Sequence, residues 1–182
     1  MAKILMVVGS QRANGFQAQL ANEISKIIGD RAEVSFLDYS EVPFVNMDIE
    51  FPAPASVAAA REAFEQADGV WFVAPVYNDT FSPQVKNLLD WISRPVVANE
   101  RPTAVSNGVK ITFSSASAGT SYEHMFADVV RLAKFISMDV MDEPLFGHSL
   151  TSEWATGEVT LSDDERAAIE AQVSAFLAKI SE

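Results

Sequence analysis

Cysteine is absent from the 182 residues, which excludes disulfides, thiolate metal sites and a cysteine nucleophile. Histidine is scarce, and His124 and His148 are too few for a histidine-rich zinc site. No apolar run approaches the ~20 residues of a membrane span. The chain opens directly on strand-like residues, so no signal peptide is expected. Basic residues are also in short supply. With 13 Lys and Arg against 25 Asp and Glu, the formal charge is −12. That balance argues against nucleic acid or an anionic membrane as a partner. A reducing, cytoplasmic setting is the simplest expectation.

What is present is a globular balance, 48% apolar and 21% charged. The length suits a single domain over residues 1–182. Lys3–Val8 (KILMVV), Glu33–Leu37 (EVSFL), Val70–Ala74 (VWFVA) and Val109–Ser114 (VKITFS) read as strands, and Met138–Met141 as a short fifth. Between them the spacing predicts helices over Phe16–Ile28, Ala55–Ala67, Gln84–Ile92 and Tyr122–Ile136. Ser162 with Glu165 forms a capping box that opens a last helix. The segments Asp38–Ala55, Arg94–Gly108 and Glu143–Gly157 read as long or irregular connections. Alternating strands and helices imply a three-layer α/β sandwich, a five-stranded parallel sheet of order 2-1-3-4-5 with helices on both faces.

In such a sheet the loops after the first, third and fourth strands gather at one carboxyl edge, where ligands bind. The first, GSQRANGF (Gly9–Phe16), carries more chemistry than a strand-to-helix turn needs. Ser10 offers a hydroxyl and Arg12 a fixed charge, Gly9 and Gly15 allow close backbone approach, and the helix start adds unpaired N–H groups. This reads as a phosphate cradle, although the Gly-Lys-Ser/Thr ending of triphosphate loops is missing. A long turn with Arg12 on the surface is the plain alternative. In the second loop (Pro75–Pro83), Tyr77 offers a flat aromatic, while Asn78 and Asp79 offer N–H groups or simply form a turn. In the third (SSASAGTSY), small side chains and Gly119 leave room for a planar ligand, or make a flexible serine-rich loop. His124 and Asp128, four apart, could share a helix face, but without a third ligand a metal site is not expected. The acids Asp163, Asp164 and Glu165 are explained by the helix dipole.

Taken in order, GSQRANGF, then PVYNDTFSPQVKNLLDW, then a small-residue loop resemble the NADPH-dependent FMN reductases, a flavodoxin-like family that includes quinone, azo-dye and chromate reductases. The resemblance implies FMN as cofactor, with its phosphate on Ser10, Arg12 and the N–H groups near Gly15, Phe16 and Gln17. It implies an isoalloxazine ring along Pro75, Val76, Tyr77, Asn78 and Asp79, closed at its other edge by Ser115, Ala116 and Gly119. It further implies electrons taken from NADPH or NADH and passed to a small acceptor (a quinone, azo compound, metal ion or flavin), in a homodimer or homotetramer. The hydride chemistry belongs to the flavin, so no side chain is expected to be catalytic. An FMN-binding electron carrier acting with protein partners is the alternative, which the acidic charge suits. The family usually places serine at the position of Gly15, and many members carry glutamate at that of Val76. It also often pairs two glycines where Ala118-Gly119 stands; of these departures it is Gly15 in place of serine that removes one hydroxyl contact to the phosphate.

Overall fold

Central strands that are apolar on both faces require helices above and below them. The computed structural model, which describes residues 1–182, shows that arrangement. In chain order the elements are β1 (Ala2–Val8), α1 (Phe16–Ile28), β2 (Ala32–Phe36), α2 (Ala55–Gln66), β3 (Gly69–Val73), β4 (Val76–Tyr77) and β5 (Thr80–Phe81). They continue as α3 (Pro83–Ile92), β6 (Lys110–Ala118), α4 (Tyr122–Phe135), β7 (Asp139–Val140), β8 (Phe146–Leu150), α5 (Glu153–Thr156) and α6 (Asp163–Ile180).

The sheet runs β2-β1-β3-β6, all parallel, and the fifth place is shared by β7 and β8. β7 pairs with the start of β6 and β8 with its end, so the order is the flavodoxin-like 2-1-3-4-5 with its last strand split. Side-chain alternation sorts the core into two layers. Leu5, Val7, Val70, Phe72, Ile111 and Phe113 belong to one layer, with residues of α2, α3 and α4. Ile4, Met6, Trp71 and Val73 belong to the other, with residues of α1 and α6.

The helices form where their apolar stripes predict. α1 buries Leu20, Ala21, Ile24 and Ile28, and stops at Gly29, whose φ of 54° is left-handed. At the start of α6 the capping box is closed, Ser162 Oγ accepting from the Glu165 N–H and Glu165 returning the bond to the Ser162 N–H.

Two expectations are corrected. The fifth strand is mainly Phe146–Leu150, inside the stretch read as irregular, and only Asp139–Val140 of Met138–Met141 is a strand. β6 also runs four residues past Ser114, so Ser115, Ala116 and Ser117 are strand rather than loop. One cause explains both: β8 pairs with β6 from Ser114–Phe146 to Ala118–Leu150, and the two weak segments stabilise each other. The Tyr122 ring lies over Gly147, where a Cβ would stand 2.3 Å from Cδ2.

Candidate functional site

The loops after β1 and β3 and the end of β6 meet at the carboxyl edge around a cleft of about 230 Å³. Ser10, Arg12, Gly15, Phe16 and Gln17 line one end, and Pro75, Val76 and Tyr77 come from the strand β3 exit. Ala116, Ser117 and Ala118 of β6, Ser121, Leu150 and Trp154 complete it. Larger hollows lie elsewhere. One of them, about 680 Å³, opens at the opposite edge around Asp68, Gly108 and Lys110. Ligands of doubly wound sheets bind at the carboxyl edge, so position outweighs volume here.

The first loop is held from behind. The Gly9 N–H donates to Val73 O at 2.8 Å, and Ser82 Oγ, fully buried, donates to Gly9 O at 2.6 Å. A Cβ on Gly9 would lie 2.8 Å from Val85 Cγ2 and 3.0 Å from Ala74 Cα, so close packing requires glycine there. Tyr39 donates its hydroxyl to Val8 O at 2.7 Å. Burial, helped by Tyr77, pushes the Tyr39 phenol above its usual pKa and keeps it a donor.

The face turned to the cleft is left open. Gly15 is the N-cap of α1 and supplies no side-chain cap, so the first N–H groups of the helix are uncovered. Arg12 is exposed and its guanidinium has no hydrogen bond or ion pair within the chain. Ser10 Oγ makes only a long 3.4 Å contact with the Arg12 N–H. No Asp or Glu lines the cleft, although the chain holds 25 of them. A positive helix end, one free arginine and no carboxylate make a site for an anion.

Nine of the residues singled out in the sequence are thus brought together. Gln17 lines the cleft, yet its side chain is committed to the fold, Nε2 donating to Ala116 O at 2.6 Å. Four others stand apart from the lining. Ser115 is buried and donates to Ala74 O at 2.7 Å, because the strand continues there. Asn78 and Asp79, with φ of 50° and 70°, are the two turn residues of the β4–β5 hairpin, the conformation such tight turns demand. Gly119 lies just beyond β6, and its carbonyl accepts from Ser149 Oγ at 2.9 Å. His124 and Asp128 clamp this hairpin: His124 Nδ1 is 3.2 Å from Asp79 Oδ1, and Thr80 Oγ1 donates to Asp128 Oδ2 at 3.1 Å.

The sequence reading missed Ser82, Ser121, Leu150 and Trp154. Ser82 had a legible signal, a serine before proline at a helix start. The PQVKNLLDW segment holds the long connection in place. Asn87 Nδ2 and Trp91 Nε1 both donate to Pro43 O, at 2.9 and 2.7 Å.

The sequence pattern described as NADPH-dependent FMN reductase matches residues 2–147. The chain belongs to that family. An NAD(P)H:quinone oxidoreductase of Solanum tuberosum is 30% identical over 151 residues, covering 79% of this chain and 73% of that protein. A 2-hydroxy-1,4-benzoquinone reductase of Burkholderia sp is 34% identical over 93 residues, about half of each chain (51% and 51%). Among solved structures, the NAD(P)H:(acceptor) oxidoreductase FerB of Paracoccus denitrificans superposes with a TM-score of 0.83 at 23% identity, covering 100% of this chain and 98% of its own. A flavodoxin from the domain Archaea superposes at 0.60 with 11% identity, covering 99% of both chains. These two likenesses concern the fold. Membership places the chain among NAD(P)H-dependent oxidoreductases with a flavodoxin-like architecture.

Beside the cleft, Glu153 accepts the Thr151 N–H at 2.8 Å and faces His148 Nε2 at 3.1 Å. Backbone N–H groups first, of Thr151 and of Glu153 itself, and then His148, outweigh burial and hold its pKa at about 2. A carboxyl depressed on folding adds stability above its ordinary 4.5 and loses it as the pH falls toward 2. Wild type is therefore expected to melt above Glu153→Gln at pH 6, with the gap closing by about pH 2, as read from thermal unfolding by circular dichroism.

Proposed function

We propose that the chain is an FMN-dependent oxidoreductase that takes electrons from NADPH or NADH and delivers them to a small acceptor, of which a quinone is favoured. The carrying observation is the anion cradle: an uncapped α1 start and a free Arg12 in a cleft without carboxylates, on a chain of net charge −12. A phosphate monoester fits it. Arg12, Ser10 and the first N–H groups of α1 would hold that phosphate, and Pro75, Val76 and Tyr77 would form the wall along the ring. The hydroxyl lost at Gly15 leaves the backbone donors in place.

FMN bound there supplies the relay between nicotinamide and acceptor. The chain binds and orients the flavin and keeps carboxylates away from it, and no Asp, Glu, His or Lys lines the cleft. Gln17, bonded to Ala116 O, fixes α1 against β6 and so fixes the width of the site. The quinone names of the Solanum and Burkholderia proteins support a quinone acceptor. A homodimer or homotetramer is supported by the exposed Phe44, Met47 and Phe51 of the connection before α2, and molar mass from light scattering tests it.

The test of function is the visible spectrum of protein mixed with FMN and desalted, before and after anaerobic NADPH. A retained flavin band that bleaches is expected. A retained band that stays oxidised would favour the electron carrier, and no retained band would overturn flavin binding.

A further inference from the structure

We propose that Trp154 is a contact residue for the flavin nucleotide, closing the cleft at its α1 end, and that the buried His148 positions it through Glu153. The inference rests on the flavin reading above.

The chain has three tryptophans, and they are placed differently. Trp71 and Trp91 are 0% and 1% exposed, whereas Trp154 is 62% exposed and lines the cleft. It sits on the four-residue helix α5, too short to hold itself together. Its indole meets the Phe16 ring edge-on at 5.2 Å, with an interplanar angle of 88°. Phe16 is the first residue of α1, so Trp154 stands next to the anion cradle.

An indole so exposed stabilises α5 little through burial. Polar groups fasten the segment at both ends instead. Before the indole, Glu153 Oε1 faces His148 Nε2 at 3.1 Å, and His148 Nδ1 faces Glu165 Oε1 of α6 at 2.7 Å. After it, Gln19 of α1 donates to Gly157 O at 2.8 Å and accepts the Val159 N–H at 2.8 Å. His148 and Glu153 are 3% and 5% exposed. Burying such a pair costs desolvation that a plain apolar contact would avoid. What the cost secures is the position of one exposed aromatic beside a cleft.

The place defines the chemistry. An indole flanking the start of α1 covers the ribityl phosphate end of a flavin nucleotide, where excluding water strengthens the attraction between phosphate and Arg12. Trp154 should therefore matter more for FMN than for riboflavin, which has no phosphate.

The experiment combines affinity with a direct signal from the indole. Protein labelled with 5-fluorotryptophan gives three fluorine resonances, and Trp154→Phe assigns the one of interest. Titration with FMN is expected to shift that resonance most. Trp154→Ala, an exposed position, should weaken FMN binding about three- to tenfold, weaken riboflavin binding less, and be largely rescued by phenylalanine. His148→Gln should weaken FMN binding by a similar factor and move the Trp154 resonance in the free protein. Glu153→Gln gives the same reading if the His148 variant does not fold. His148→Gln with Trp154→Ala should bind FMN no more weakly than Trp154→Ala alone, because one residue acts through the other. Additive losses would overturn the positioning role of His148. An unmoved Trp154 resonance, or Trp154→Ala within twofold of wild type in a protein that binds FMN, would overturn the contact and leave the flavin reading standing. A wild type that shows no FMN binding overturns both.

Discussion

Arg12→Ala is expected to weaken FMN binding about 10- to 100-fold while leaving the unfolding midpoint unchanged. Hydrogen bonds to a charged group are worth about 1.5–3 kcal/mol, and about 1.4 kcal/mol is a factor of ten. The guanidinium is exposed and engages nothing else in the chain, so its removal leaves no buried group unpaired. The contrast with riboflavin is the control: without a phosphate, wild type and variant should bind it equally. Fluorescence titration of both flavins measures this. An unchanged FMN affinity would remove the phosphate from the first loop.

Trp71→Ala is expected to cost the fold about 3–5 kcal/mol. The indole is fully buried on β3, edge-on to Phe176 at 5.5 Å. Its Nε1 donates to Ser114 Oγ at 3.0 Å, which in turn donates to Gln172 Oε1 at 3.0 Å. Gln172 Nε2 donates to Thr112 Oγ1 and Phe113 O, both at 2.9 Å. Truncation therefore leaves a cavity and takes the donor from a hydroxyl buried between β6 and α6. Trp71→Phe keeps most of the volume and loses only the donor, which should cost about 1–2 kcal/mol. Urea unfolding measures both. A cost below about 1 kcal/mol for alanine would mean that the layer beneath α1 and α6 closes around the gap.

The two variants separate the molecule into a scaffold and a site. Trp71 faces the layer shared with α6 and does not line the cleft, so its loss should reduce stability and leave flavin affinity in the folded protein intact. Arg12 should do the reverse. This separation follows from the parallel sheet, whose strands are buried along their length and present loops at their ends.

Residues with local signals were legible in the sequence. Apolar spacing located α1, and the serine and glutamate at Ser162 and Glu165 announced the start of α6. The strands β1 and β3 were plain from their apolar runs. Once the strand order was inferred, Ser10, Arg12 and Pro75–Tyr77 fell at one edge, because parallel strands share a direction.

Tertiary structure decided the rest. Phe146–Leu150 is a strand although glycine and histidine interrupt it, since Tyr122 covers the glycine and two carboxylates from α5 and α6 flank the buried histidine. Ser115 and Ser117 read as loop and are buried strand, because their neighbour in the sheet is β8, itself unreadable alone. Trp154 reached the cleft by the same route, through partners on β8, α1 and α6. The sequence by itself determined the family, the parallel sheet and the makeup of the first loop, each written in neighbouring residues. Only the tertiary structure decided the last strand and the wall it carries to the cleft. Their stability comes from strand pairing and polar contacts between segments distant in sequence, which no local pattern records.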